Sequence, residues 1–180
     1  MFAKKPNAPK APWAVRLLTP DFLVDGFTDT EAHPETWPFF TTAVGSTPSG
    51  LLWLASPRFT PVASGSAPPP AVTQWLVPYS GNFVALMPFD NASLAAVRKN
   101  IADLKYPHAA MLYVGPFALR GGLLSNYEAV SYMSTMSGHQ CLAMQDVEIE
   151  YRLPNPSFTG LKAPLVLVRT HLLQGIGLVG

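Results

Sequence analysis

Nineteen prolines and thirteen glycines punctuate this 180-residue chain, and their placement limits what it can fold into. Proline fixes φ and lacks an N–H donor, and glycine weakens the interior of helices and strands. Most intervals between them therefore suit one short strand or a turn. The exception is 91-NASLAAVRKNIADL-104, where Leu94, Val97, Ile101 and Leu104 recur at helical spacing. Arg98, Lys99, Asn100 and Asp103 lie mainly off that stripe. Asp90 or Asn91 is placed to cap the start, and Tyr106-Pro107 follows the end.

The other segments read as strands and loops. Residues 14–28 give a strand, a turn at Pro20-Asp21 and a second strand that sets Phe22, Val24 and Gly26 on one side. The segment 51-LLWLA-55 is a compact strand, and 56–70 a long irregular loop ending in three prolines. Residues 72–89 pattern as a hairpin turning near Tyr79-Ser80-Gly81-Asn82. After Pro107, strands are expected at 109–114, 117–125, 130–135, 147–153 and 164–170. In 147-VEIEYRL-153, Val147, Ile149 and Tyr151 alternate with Glu148, Glu150 and Arg152, the signature of a half-buried strand.

Two stretches echo each other at a spacing of 95 residues, 17-LLTPDFLVDGF-27 and 112-LYVGPFALRGG-122. Leu17 falls on Leu112, Phe22 on Phe117, Val24 on Leu119 and Gly26 on Gly121, and Asp25 falls on Arg120. A glycine at this point lets a strand bend sharply. The stretch Phe22-x-Val24-x-Gly26 resembles the opening of an Sm-like or SH3-like small barrel, and Phe117-x-Leu119-x-Gly121 resembles a second. Members of those families are mostly binding or assembly modules, some of which bind RNA. The resemblance implies a mainly β chain of two small barrel-like units in tandem joined by a short helix. Its divisions are an extended tail (1–13), a first unit (14–90), a linking helix (91–107) and a second unit (108–180).

Charge narrows the partners. The chain is 48% hydrophobic and 13% charged, against roughly 25% charged in a usual soluble domain. A surface so short of charge suits burial against another protein. The net charge of +1 argues against nucleic acid, and Arg169 and His171 are too few to make an RNA-binding loop. Lys4, Lys5, Lys10 and Arg16 precede an acidic run of Asp21, Asp25, Asp29, Glu31 and Glu35, so the tail suits an anionic surface. No apolar core follows the first lysines as a secretory signal requires. The most apolar stretch, 161–180, is interrupted by Lys162, Pro164, Arg169, His171 and Gln174, so no membrane span is expected.

Candidate chemistry is sparse. The glycines of 115-GPFALRGGLL-124 precede β-like sequence rather than a helix, which argues against a phosphate loop. His33 lies among Asp29, Glu31 and Glu35 without a second histidine nearby, and His139 and Cys141 need distant partners to hold a metal. Cys141, the single cysteine, excludes an internal disulfide and is the one candidate nucleophile, with His171 or His108 as its base. Met133, Met136 and Met144, with Tyr127 and Tyr132, suit a core or a ligand cavity.

The reading is a non-enzymatic structural or adaptor subunit with no catalytic residue, cofactor or metal. It is expected in the cytoplasm or at a membrane surface, and a membrane-associated energy-converting complex is a host this composition suits. Lys4, Lys5, Lys10 and Trp13 at the tail, with Arg58 and Phe59 in the long loop, are the expected partner-binding residues. The alternatives are a small-molecule or lipid-binding barrel, and a hydrolase using Cys141 with a histidine.

Overall fold

A computed structural model describes residues 12–41, 50–128, 140–153 and 158–178. In chain order the strands of the first half are β1 (Trp13–Leu18), β2 (Phe22–Thr28), β3 (Leu51–Pro61), β4 (Gln74–Pro78) and β5 (Ala85–Pro88). Helix α1 (Asn91–Asn100) follows. The second half holds β6 (Tyr106–Val114), β7 (Phe117–Ser125), β8 (Cys141–Tyr151), β9 (Leu161–Arg169) and β10 (Leu173–Leu178). Two 3₁₀ turns, Pro34–Phe40 and Thr170–Leu172, complete the described elements.

All ten strands form one antiparallel sheet in the order β10-β6-β7-β8-β9-β5-β1-β2-β3-β4. The expectation of two Sm-like or SH3-like barrels is corrected here. Among the described residues the chain is mainly β with one α-helix, but the sheet is open, and β4 and β10 lie at its edges. Closing the first half would need β5 to return to β4. Instead β5 sits between β1 and β9, with Ala85 opposite Val168 and Leu86 opposite Leu167. The final strand of the first half is drawn into the second half rather than back onto its own.

The echo at a spacing of 95 residues carries through into backbone pairing. Val15, Leu17 and Leu18 stand opposite Gly26, Val24 and Leu23. Ala110, Leu112 and Tyr113 stand opposite Gly121, Leu119 and Ala118 in the same way. The register then slips at the same point in each half, between Asp25 and Phe27 and between Arg120 and Gly122. Opposite each slip the partner strand carries a non-glycine residue in the left-handed region, Ser56 at φ 49° and Asp146 at φ 52°. This is a β-bulge, and the glycine facing it leaves room for the displaced backbone. At Gly121 an added Cβ would lie 2.7 Å from the Gln145 carbonyl oxygen, and at Gly26 it would lie 3.3 Å from that of Ala55.

Each half covers its own hydrophobic cluster. The second half buries Leu112, Phe117, Leu119 and Ile149, and the first buries Leu17, Val24, Leu52 and Leu54 under α1 and the 3₁₀ turn. The middle strands serve both. Leu86, Leu165 and Leu167 point into the first cluster, while Ala85, Met87, Val166 and Val168 point into the second. Both faces of β5 and β9 are thus buried, which explains their continuous apolar runs.

Helix α1 presents Val97 and then Ile101 and Leu104 to the first cluster. Its N-cap is Asp90, whose Oδ1 accepts the Ser93 N–H at 2.6 Å while the Asp90 N–H donates to Ser93 Oγ at 3.3 Å. Asp90 Oδ2 also accepts the Ala14 N–H at 2.7 Å, tying the helix start to β1. Burial raises the Asp90 carboxyl, but the donors at Ala14, Ser93 and Ala92 outweigh it, and the group lies below its ordinary value.

Several local expectations differ from what forms. β3 runs on to Pro61, so residues 56–61 are strand rather than loop. β4 and β5 do not pair as a hairpin; β4 pairs with β3, and β5 with β1 and β9. The expected strand at 130–135 lies outside the described residues.

Candidate functional site

The most unusual surface is the pair of sheet edges. An edge strand offers a row of unpaired N–H and C=O groups, and proteins usually guard it with lysine, proline or a covering segment. β4, QWLVP, and β10, LQGIGL, carry no charged residue, and the one proline stands at the end of β4. Both edges expose large apolar side chains: Leu76 on β4, with Leu51 beside it on β3, and Ile176 and Leu178 on β10. Alternation along β10 leaves Gln174, Ile176 and Leu178 exposed and the residues between them half-buried. An uncharged, extended edge with apolar side chains suits strand addition, in which backbone bonds give affinity and alternate side chains give selectivity.

The main buried polar group lies at the junction between the halves. Arg169, 4% exposed, ends β9 and donates from Nη2 to the Tyr79 carbonyl at 2.9 Å. Its guanidinium lies 4.0 Å from the centre of the Tyr79 ring and 5.2 Å from that of Phe83, a cation–π arrangement. Nε and Nη1 of Arg169 and the Tyr79 hydroxyl find no hydrogen-bond partner among the described residues. Burial, with the nearby Cys141 adding to it and Arg169 opposing, pushes the Tyr79 phenol up to about 12.

Cys141 is buried beside these two residues. Burial pushes its thiol up, and Arg169 and Tyr79 pull it back only in part. A thiol held protonated is a poor nucleophile. Although His171 is exposed as a residue, partial burial of its ring, then repulsion from Arg169, lowers its pKa. His108 is engaged elsewhere, its Nε2 lying 2.9 Å from the Tyr127 carbonyl.

The sequence-expected partner residues fall in different surroundings. Lys4, Lys5 and Lys10 lie outside the described residues. Trp13 begins β1 and packs on the protein itself, its ring 6.0 Å from Trp37 and 5.4 Å from Phe40. Phe59 belongs to another aromatic row, 6.0 Å from Phe22 and 5.1 Å from Trp75. Arg58 is exposed on β3 opposite Asp25, whose carboxylate is held by Arg16 through Nε at 2.5 Å and Nη2 at 2.8 Å. Arg58 lines an open groove of about 380 Å³ with Asp25, Gly26, Phe27 and Phe89.

Among the described residues no three metal-ligating side chains converge. His33 stacks on Trp53 with ring centres 4.2 Å apart, and Asp29 Oδ1 accepts the N–H groups of Glu31 and Ala32 in a local turn. Helices long and apolar enough to cross a membrane are absent from the described residues.

Sequence reasoning passed over Leu76, Ile176 and Leu178. The signal for β10 was the alternation in 173-LQGIGL-178, obscured by two glycines and by its attachment to the apolar run before it. No protein-family model, curated protein or solved structure matches this chain.

Proposed function

We propose that this chain is a non-enzymatic structural or adaptor subunit that docks into a larger assembly through its two open sheet edges. The observation that carries the reading is that β4 and β10, the edge strands among the described residues, carry exposed leucine and isoleucine and no charged residue. Left bare, such edges invite uncontrolled association, so a protein that keeps them has a partner to cover them. The low charge of the chain supports the same reading.

The host is peripheral to a membrane or free in the cytoplasm. Lys4, Lys5 and Lys10 suit the anionic face of a membrane-bound complex, such as an energy-converting one. The test is the size of the full chain recovered from its native source in mild detergent. A discrete assembly larger than the chain, lost when Leu76 and Ile176 are both replaced by lysine, is the expected result. A strictly monomeric chain without any partner contradicts the reading.

A further inference from the structure

We infer that copies of this chain join head to tail, β10 of one copy pairing antiparallel with β4 of the next, Gly175 opposite Val77 and Ile176 opposite Leu76. This rests on the assembly reading above and names the partner.

The inference follows from the strand order. Each half lists its strands in one sequence, fifth-first-second-third-fourth: β5-β1-β2-β3-β4 and β10-β6-β7-β8-β9. β5 and β10 therefore hold the same place, and so do β4 and β9. Residue equivalences follow from the registers. Leu86 stands opposite Leu17, and Ile176 stands opposite Leu112, so Leu86 corresponds to Ile176 and Ala85 to Gly175. Counted from the two bulges, Trp53 corresponds to Ala143. Their partners Leu76 and Leu167 therefore correspond, and likewise Val77 and Val168.

Inside the chain a fifth strand already pairs with a fourth strand of the other half, Ala85 opposite Val168 and Leu86 opposite Leu167. That contact leaves Leu86 0% and Leu167 1% exposed. Their counterparts at the free edges, Ile176 and Leu76, are 42% and 43% exposed. Among the described residues the outer edges are thus one fifth strand and one fourth strand, the same two surfaces the molecule has already joined at its centre. A second copy brings to each the strand type it lacks.

One bond differs. The Arg169 N–H donates to the Val84 carbonyl at 2.9 Å beyond the internal ladder. Pro78 holds that place on β4 and has no N–H, so the ladder between chains stops one bond sooner. An interface between two different edges repeats without self-cancelling, and gives a closed ring or an open filament.

Two experiments on the purified full chain test this. First, Ile176→Cys and Leu76→Cys are made on separate chains, with the buried Cys141 left in place, and mixed under mild oxidation. The expected product is a disulfide joining the two different chains, with neither variant cross-linking to itself. A mixture without cross-links, or cross-linking of either variant alone to an equal extent, overturns the inference. Second, sedimentation is expected to show multimers for the natural chain and their loss in Leu76→Lys, a change at an exposed site that the fold tolerates. A natural chain that is monomeric at every concentration overturns the inference. If such a chain still enters an assembly with another protein in its native source, the assembly reading stands and only the self-pairing fails.

Discussion

At Gly121 a methyl group would sit 2.7 Å from the Gln145 carbonyl oxygen and 3.1 Å from that of Asp146, both backbone atoms of the bulge. At Gly26, the matching position, the nearest atoms are 3.3 Å away and include the Leu54 side chain. Backbone yields less readily than a side chain, so the two glycines are not equally replaceable. Gly121→Ala should lower stability by about 1–3 kcal/mol, as overpacking does, and Gly26→Ala by clearly less. Urea unfolding of the two variants checks the order. Asp90 is a second residue with a defined task, capping α1 and holding the Ala14 amide of β1. Asp90→Ala should cost about 1–2 kcal/mol. The Asp90 carboxyl lies below its ordinary value in the folded chain, so its contribution is fully present above the unfolded value. It is lost as pH falls through the folded one, and Asp90→Ala should be correspondingly less sensitive to acid in that window. Unfolding measured across the acid range gives the comparison.

Among the elements, β4 and β9 occupy the same place in their halves but meet different neighbours. Leu167 on β9 is buried against β5, whereas Leu76 on β4 is exposed. Leu167→Ala should cost about 2–5 kcal/mol, the usual range for a buried leucine. In the dilute, unassociated chain Leu76→Ala should change stability by no more than about 0.5 kcal/mol. Denaturant melts at low protein concentration decide this. The same contrast explains what the sequence could and could not disclose. The helix stripe of Val97, Ile101 and Leu104, the turn after β1 and the matched glycines are local patterns. The first two are closed by nearby bonds, such as the Thr19 N–H donating to the Phe22 carbonyl at 2.8 Å. The choice of β5 to pair with β9 rather than β4 is not local. It depends on residues some eighty positions apart, Leu86 and Leu167 among them, and no periodicity reports it. Sequence periodicity identified strands but left their closure undetermined, and the barrels implied by the resemblance give way to an open sheet.

Among the described residues the fold is two five-strand halves locked by shared central strands, with one unlike strand at each outer edge. Because β5 and β9 feed both hydrophobic clusters, neither half holds a complete core of its own. The ends, in contrast, lack what the centre has. Leu76, Ile176 and Leu178 face solvent, while Leu86 and Leu167 in the same roles are sealed. The proposed role therefore requires those edges to be covered when the protein works. The most direct measurement is amide hydrogen exchange of the full chain, free and dilute against its native assembly. Edge pairing predicts that β4 and β10 exchange quickly in the free chain and become protected in the assembly, while the central β9 is protected in both. Equal exchange at both edges in the two states, with protection appearing on some other face, would contradict it.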